Sequence, residues 1–211
     1  MKIIYLITGS GGSFYCTNCY RDMIYLKATR KVPGSNASAI PLYLPPDESI
    51  SDPGFDKNVF FGAISLYLRE KVPFLKNMPL FFNKLLDSTP MLRMAAKRAG
   101  TTSSEGLEDM TINMITGQNA FPDKELQRLV DYIKKDGRPD ILHLSNALII
   151  GLARQLKKKM DVKIVCSLLN EDDWLEDMAE PYRSDSWKLM AKEAPNIDAF
   201  AKKSILFKNA Y

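Results

Sequence analysis

Three clusters of residues have the types and spacing to do chemistry. Thr8-Gly9-Ser10-Gly11-Gly12-Ser13 follows directly on the apolar run of residues 2–7. Glycines there let backbone N–H groups approach a phosphate closely, and the unsatisfied N–H groups of the next helical turn point at it. The same residues also suit a plain tight strand-to-helix turn. The run is not the dinucleotide fingerprint, because Phe14 stands at its third glycine position, and it lacks the Gly-Lys-Ser/Thr of a P-loop. His143, the sole histidine, falls near the carboxyl end of a predicted strand with Ser145 and Asn146 after it. In open α/β sheets ligands bind outside such strand ends, while a satisfied structural histidine is the competing reading. Asn170-Glu171-Asp172 occupies the equivalent place after the next strand. Its carboxylates suit a sugar hydroxyl or general-base work, or they cap a solvated loop. Cys16-Thr17-Asn18-Cys19 places two thiols at a predicted helix start, where the dipole lowers a thiol pKa. Thr-Asn replaces the usual Pro or Gly of a redox pair, and no second pair completes a zinc site, so packing and turn geometry is the preferred account. No Gly-x-Ser-x-Gly elbow supports serine hydrolysis.

The elements that must position these residues alternate between apolar runs and periodic segments. Strands are predicted over 2–7, 37–44, 140–145 and 162–167, with a further one starting at 198. Helices are predicted over 18–31, 122–135, 147–160 and 184–193. Thr17 or Asn18 caps the first helix, Pro33-Gly34 stops it, and Pro41 points to an edge or terminal position in the second strand. Residues 58–69 have strand composition, with Gly62-Ala63 as a bulge or hairpin. Residues 73–116 read as two or three amphipathic helices rich in Met and Phe, serving as core packing or as a ligand- or partner-facing lobe. Residues 170–177 form an acidic segment. The alternation predicts one α/β domain over 1–211, a Rossmann-like parallel sheet with helices on both faces and a helical insertion around 73–116.

Charge and cysteine usage narrow the class. The net charge of +4 over 211 residues comes mainly from Lys and Arg on predicted helices. Without interleaved aromatics these runs read as solvated faces, which argues against a nucleic-acid partner. No apolar run is long enough to span a membrane. Three cysteines and no secretory signal predict a reducing, cytoplasmic setting. The apolar, aromatic residues 205–211 suggest a chain cut short.

The segments TGSGGSFYCTNCYRD, VFFGAISLYL, RPDILHLSNALIIGLARQL, VKIVCSLLNEDDWL and EPYRS together resemble the N-terminal domain of retaining glycosyltransferases of family four, which have the two-Rossmann GT-B fold. The likeness is strongest over residues 138–184. It implies an acceptor-side domain whose glycine loop, residues 9–13, faces the donor diphosphate. It further implies a site containing His143, Glu171 and Asp172, with Ser145, Asn146 and Asn170 on the acceptor. The family pattern Asp-x-x-His-x-His appears as Asp140-Ile141-Leu142-His143-Leu144-Ser145, so Ser145 stands at the second histidine. The implied co-substrate is a nucleotide sugar and the implied partners are a carbohydrate or lipid-linked acceptor and a C-terminal donor domain. Peripheral membrane contact goes with a lipid-linked acceptor, and neither a metal nor a nicotinamide cofactor is expected. Two other readings stay open. A nucleotide-dependent oxidoreductase is disfavoured by Phe14 and by Tyr43-Leu44-Pro45-Pro46, where an acidic residue belongs. A non-catalytic binding module would use residues 73–116 to dock a partner or lipid-linked acceptor.

Overall fold

The computed structural model describes residues 1–9, 17–43, 54, 56, 58–61, 104, 106–118 and 120–202, without the side chains of 17–19. Five strands form one all-parallel sheet in the order β2-β1-β3-β4-β5. They are β1 Lys2–Ile7, β2 Asn36–Pro41, β3 Ile141–Leu144, β4 Lys163–Leu168 and β5 Ala199–Lys202. A parallel sheet covered on both faces needs apolar residues at successive positions, and β1 supplies them, buried from Ile3 to Ile7.

Alternate residues of β1 feed two cores. Ile3, Tyr5 and Ile7 pack with Ala37 and Ala39 of β2 under Leu26 of α1, Thr17–Arg30. Ile4 and Leu6 join Leu142, Leu144, Ile164 and Cys166 on the other face. There they meet Leu126, Leu129, Val130 and Ile133, which line one side of α3, Asp123–Lys135, after α2, Glu108–Thr116. The same core takes Leu152, Ala153 and Leu156 of α4, Gly151–Lys159. Helices therefore lie on both faces, and the sheet is Rossmann-like.

Several boundaries differ from the sequence expectations. The second strand ends at Pro41; Leu42 and Tyr43 stay bonded to the carbonyls of Ile7 and Thr8 (2.7 and 3.2 Å) outside the strand. Residues 58–61 are irregular rather than strand. Their apolar character comes from plugging the core, with Phe60 against Tyr132 and Phe61 against Phe121. Gly62-Ala63 lies outside the described residues, as does most of 73–116, where α2 is the described helix. The helix expected over 147–160 is divided into a 3-10 turn, Ala147–Ile149, and α4. The division lets Gly151 sit against the left-handed turn at Gly117 (φ 71°), whose backbone nitrogen a Cβ on Gly151 would strike. The acidic segment is a short helix, α5, Glu171–Glu176, because carboxylates in a first turn complement the helix dipole. The last helix, α6, Tyr182–Glu193, starts two residues earlier than read. Among the described residues, no helix is long and apolar enough to cross a membrane.

Candidate functional site

Strand order reverses between β1 and β3. The helix after β1 packs on one face and the helix after β3 on the other, and the carboxyl ends of strands at such a reversal are where open α/β sheets bind ligands. Gly9, buried with φ 85°, lies just beyond the carboxyl end of β1. Ser10, Gly11, Gly12, Ser13 and Cys16 lie outside the described residues, as does the Cys19 side chain.

His143 occupies the face of β3 that α1 covers. Its ring is 4.6 Å from that of Tyr5 and 6.4 Å from that of Tyr25. Across the sheet its Nε2 shares a hydrogen bond of 2.9 Å with Ser167 Oγ of β4. Its Nδ1 is buried with no hydrogen-bond partner among the described residues. Burial, reinforced by the Arg21 charge, lowers its pKa to about 4, so the imidazole is neutral at pH 7.

The turn after β3 is held from three sides. Ser145 is fully buried and donates its backbone N–H to the Leu6 carbonyl at 3.1 Å. The Ser145 carbonyl accepts from Arg21 Nη2 of α1. Asn146 caps the 3-10 turn, its Oδ1 accepting from Leu148 N at 3.1 Å, while its Nδ2 lies 3.4 Å from Ser145 Oγ. Glu171 joins this turn to the one after β4: Oε1 accepts from Ala147 N at 2.8 Å and Oε2 from Leu169 N at 2.5 Å. Burial raises the Glu171 pKa, and these backbone donors oppose the rise. Both its oxygens are thereby engaged. Asn170 (φ 47°) and Asp172 are exposed at the rim.

His143, Ser145, Asn146 and Glu171 thus gather at one edge of the sheet with Gly9. Sequence reasoning missed Arg21 and Asp22. Arg21 donates from Nε (3.2 Å) and Nη2 (2.8 Å) to Asp22 Oδ1, and the side chains are only 12% and 1% exposed. The available signal was helical spacing. Asp22 stands four residues before Leu26 and seven before Thr29, which bonds the Tyr5 hydroxyl, so it falls on the core-facing side of α1. The arrangement is a buried polar cluster in which Arg21 pairs with Asp22 and the Glu171 carboxylate is held by backbone donors. Among the described residues, no group of three or more His, Cys, Asp or Glu side chains could hold a metal ion.

No family model matches the chain, and no curated protein matches it. Among solved structures, a mutant of the XylFII-LytSN complex aligns at 15% identity over 96% of this chain and 95% of that one. Its TM-score of 0.17 carries no argument.

Proposed function

We propose that this chain is the acceptor-side domain of a sugar-nucleotide-dependent glycosyltransferase of GT-B type. The observation supporting it best is the gathering of Gly9, His143, Ser145, Asn146 and Glu171 at the carboxyl edge, where the strand order reverses. In this reading residues 9–13 present N–H groups to the donor diphosphate. The amides of Gly11 and Gly12 stabilise the charge that develops as it departs. Ser145, Asn146 and Asn170 meet the acceptor, with His143, Glu171 and Asp172 around the transferred sugar. The working setting is the cytoplasm, with peripheral membrane contact when the acceptor is lipid-linked. Transfer needs a donor domain across the cleft, because half of a cleft cannot orient both substrates.

The test is calorimetric titration of the chain with nucleoside diphosphates, their sugar conjugates and NAD, with the amide resonances of Thr8 and Gly9 followed alongside. Saturable binding of a nucleoside diphosphate that moves the Gly9 amide supports the proposal. Binding of NAD alone favours an oxidoreductase, and binding of neither removes the transferase reading.

A further inference from the structure

The two outer strands of the sheet, β2 and β5, are finished differently. A strand at the margin of a sheet turns the N–H and C=O of every second residue outward, and such groups pair with any extended chain that reaches them. On β2 they are occupied. The Ala39 N–H donates to the Gly54 carbonyl at 2.7 Å, and the Ala39 carbonyl accepts from Asp56 N at 2.8 Å. The Ala37 carbonyl accepts from Arg30 Nε at 2.7 Å. On the other side of the sheet, the Asp198 N–H donates inward to the Ile164 carbonyl of β4 at 2.8 Å. By alternation the backbone groups of Phe200 and Lys202 also turn inward, and those of Ala199 and Ala201 turn outward. Among the described residues, nothing bonds the outward groups of Ala199 and Ala201.

The side chains leave the same strand open. Cys166, the β4 residue beside Phe200, is fully buried, whereas Phe200 is 44% exposed. Within β5 neither a proline nor a charge precedes Lys202, and these are the devices that keep a marginal strand from pairing. The strand also fits itself. An antiparallel copy bonds outward residues to outward residues, so only registers that match alanine with alanine are open. The one that uses both sets Ala199 against Ala201 of the second copy, and Ala201 against Ala199, each pair exchanging two hydrogen bonds. Phe200 then sits on the two-fold axis opposite its own equivalent, in the close non-hydrogen-bonded position where facing aromatic rings stabilise a sheet. Lys202 falls across from Asp198 rather than from another lysine.

We infer that β5 is a self-association strand: two copies of this chain pair antiparallel through residues 198–202 about Phe200, making one continuous sheet. Nothing in this pairing depends on the glycosyl-transfer reading. So short a contact covers less than the about 1,200–2,000 Å2 of a stable interface. The dimer therefore forms at high micromolar concentration and dissociates on dilution. Sedimentation equilibrium of the intact chain from about 10 μM to about 1 mM, with amide hydrogen exchange at both ends of the range, tests it. A monomer–dimer equilibrium is expected, in which the Ala199 and Ala201 amides gain protection with concentration. Phe200→Ala is expected to weaken the dimer about tenfold, the worth of an aromatic pair. Ala201→Pro removes an outward N–H without touching the ladder to β4, and is expected to leave a folded monomer. A chain that stays monomeric to the top of that range overturns the inference. So does a dimer that survives Ala201→Pro, which would mean association through another surface. Protection of both amides at every concentration also overturns it, because the strand would then be closed within one copy. Where Ala201→Pro fails to fold, Phe200→Lys makes the same test from an exposed position, by opposing two lysines on the axis.

Discussion

The two edges of the sheet handle charge in opposite ways. At the amino edge, a cavity of about 570 Å3 is bordered by Arg138, Lys157, Lys163, Asp161 and Asp198. Its charges pair in the open: Arg138 with Asp161 at 2.8 Å, and Asp198 with both Lys157 (2.7 Å) and Lys163 (3.3 Å). Asp198 also accepts from the Ile164 amide, and these partners hold its carboxyl down at about 2. At the carboxyl edge the Arg21–Asp22 ion pair is buried, and Arg21 Nη1 and His143 Nδ1 have no hydrogen-bond partner among the described residues. The amino-edge cavity is thus lined by charges that are already paired. Among the described residues, the edge with unmet hydrogen-bonding capacity is the one where the strand order reverses.

Four measurements break or sharpen that contrast. Removing the anion from the buried pair has the largest expected effect. Asp22→Ala strands the Arg21 guanidinium and should destabilise the chain by about 3–5 kcal/mol in urea unfolding at pH 7. A loss below about 1 kcal/mol would show that the pair is wet.

Acid comes next. His143 titrates at about 4 when folded and near 6.5 when unfolded, so the unfolded chain takes up the proton first. Stability should fall between pH 6.5 and 4 by up to about 3 kcal/mol. The raised pKa of Glu171 acts in the opposite sense, favouring the folded state as pH falls towards 4.5, and so blunts the loss. Asp198 adds its own loss only below about pH 4, because its folded pKa is depressed. Urea curves for His143→Gln should therefore be flatter than wild type between pH 6.5 and 4 and parallel below that. An unchanged slope would contradict the buried, neutral imidazole.

Gly151→Ala tests whether the seating of α4 fixes the carboxyl edge. Its Cβ meets the Gly117 backbone rather than a flexible side chain, so a loss of about 1–3 kcal/mol is expected in thermal or urea unfolding. The smallest effect belongs to the amino edge. Asp198→Asn should cost no more than about 1 kcal/mol, because its lysine partners are solvent-exposed or partly so, and the cost should shrink further in high salt. A larger cost would erase the distinction between the edges.

Much of this was legible in the residues. The apolar runs of β1, β3 and β4 have no competing explanation in a chain that alternates them with helices, and Leu126, Leu129, Val130 and Ile133 mark the buried side of α3 by spacing alone. Elsewhere one composition served two ends. Phe60 and Phe61 look like strand residues but fill the core from an irregular segment, which local pattern cannot distinguish. In α1 the pattern misleads, because Ile24 is exposed while Asp22 is buried. His143 stood out as the sole histidine at a strand end. Arg21 and Asp22 looked like ordinary helix surface because adjacent charges usually are, and only the approach of the β3 turn makes them interior. Glu171 was legible as a residue of the turn after β4, but not that it accepts from two different turns.

That shared carboxylate has a mechanical consequence. One carboxylate tied to the ends of two neighbouring strands couples their movements: a shift of Ala147 pulls on Leu169, and a disturbance at the start of α5 travels back to the Asn146 cap. A displacement at the start of the 3-10 turn is thereby passed to the turn that carries Asn170 and Asp172.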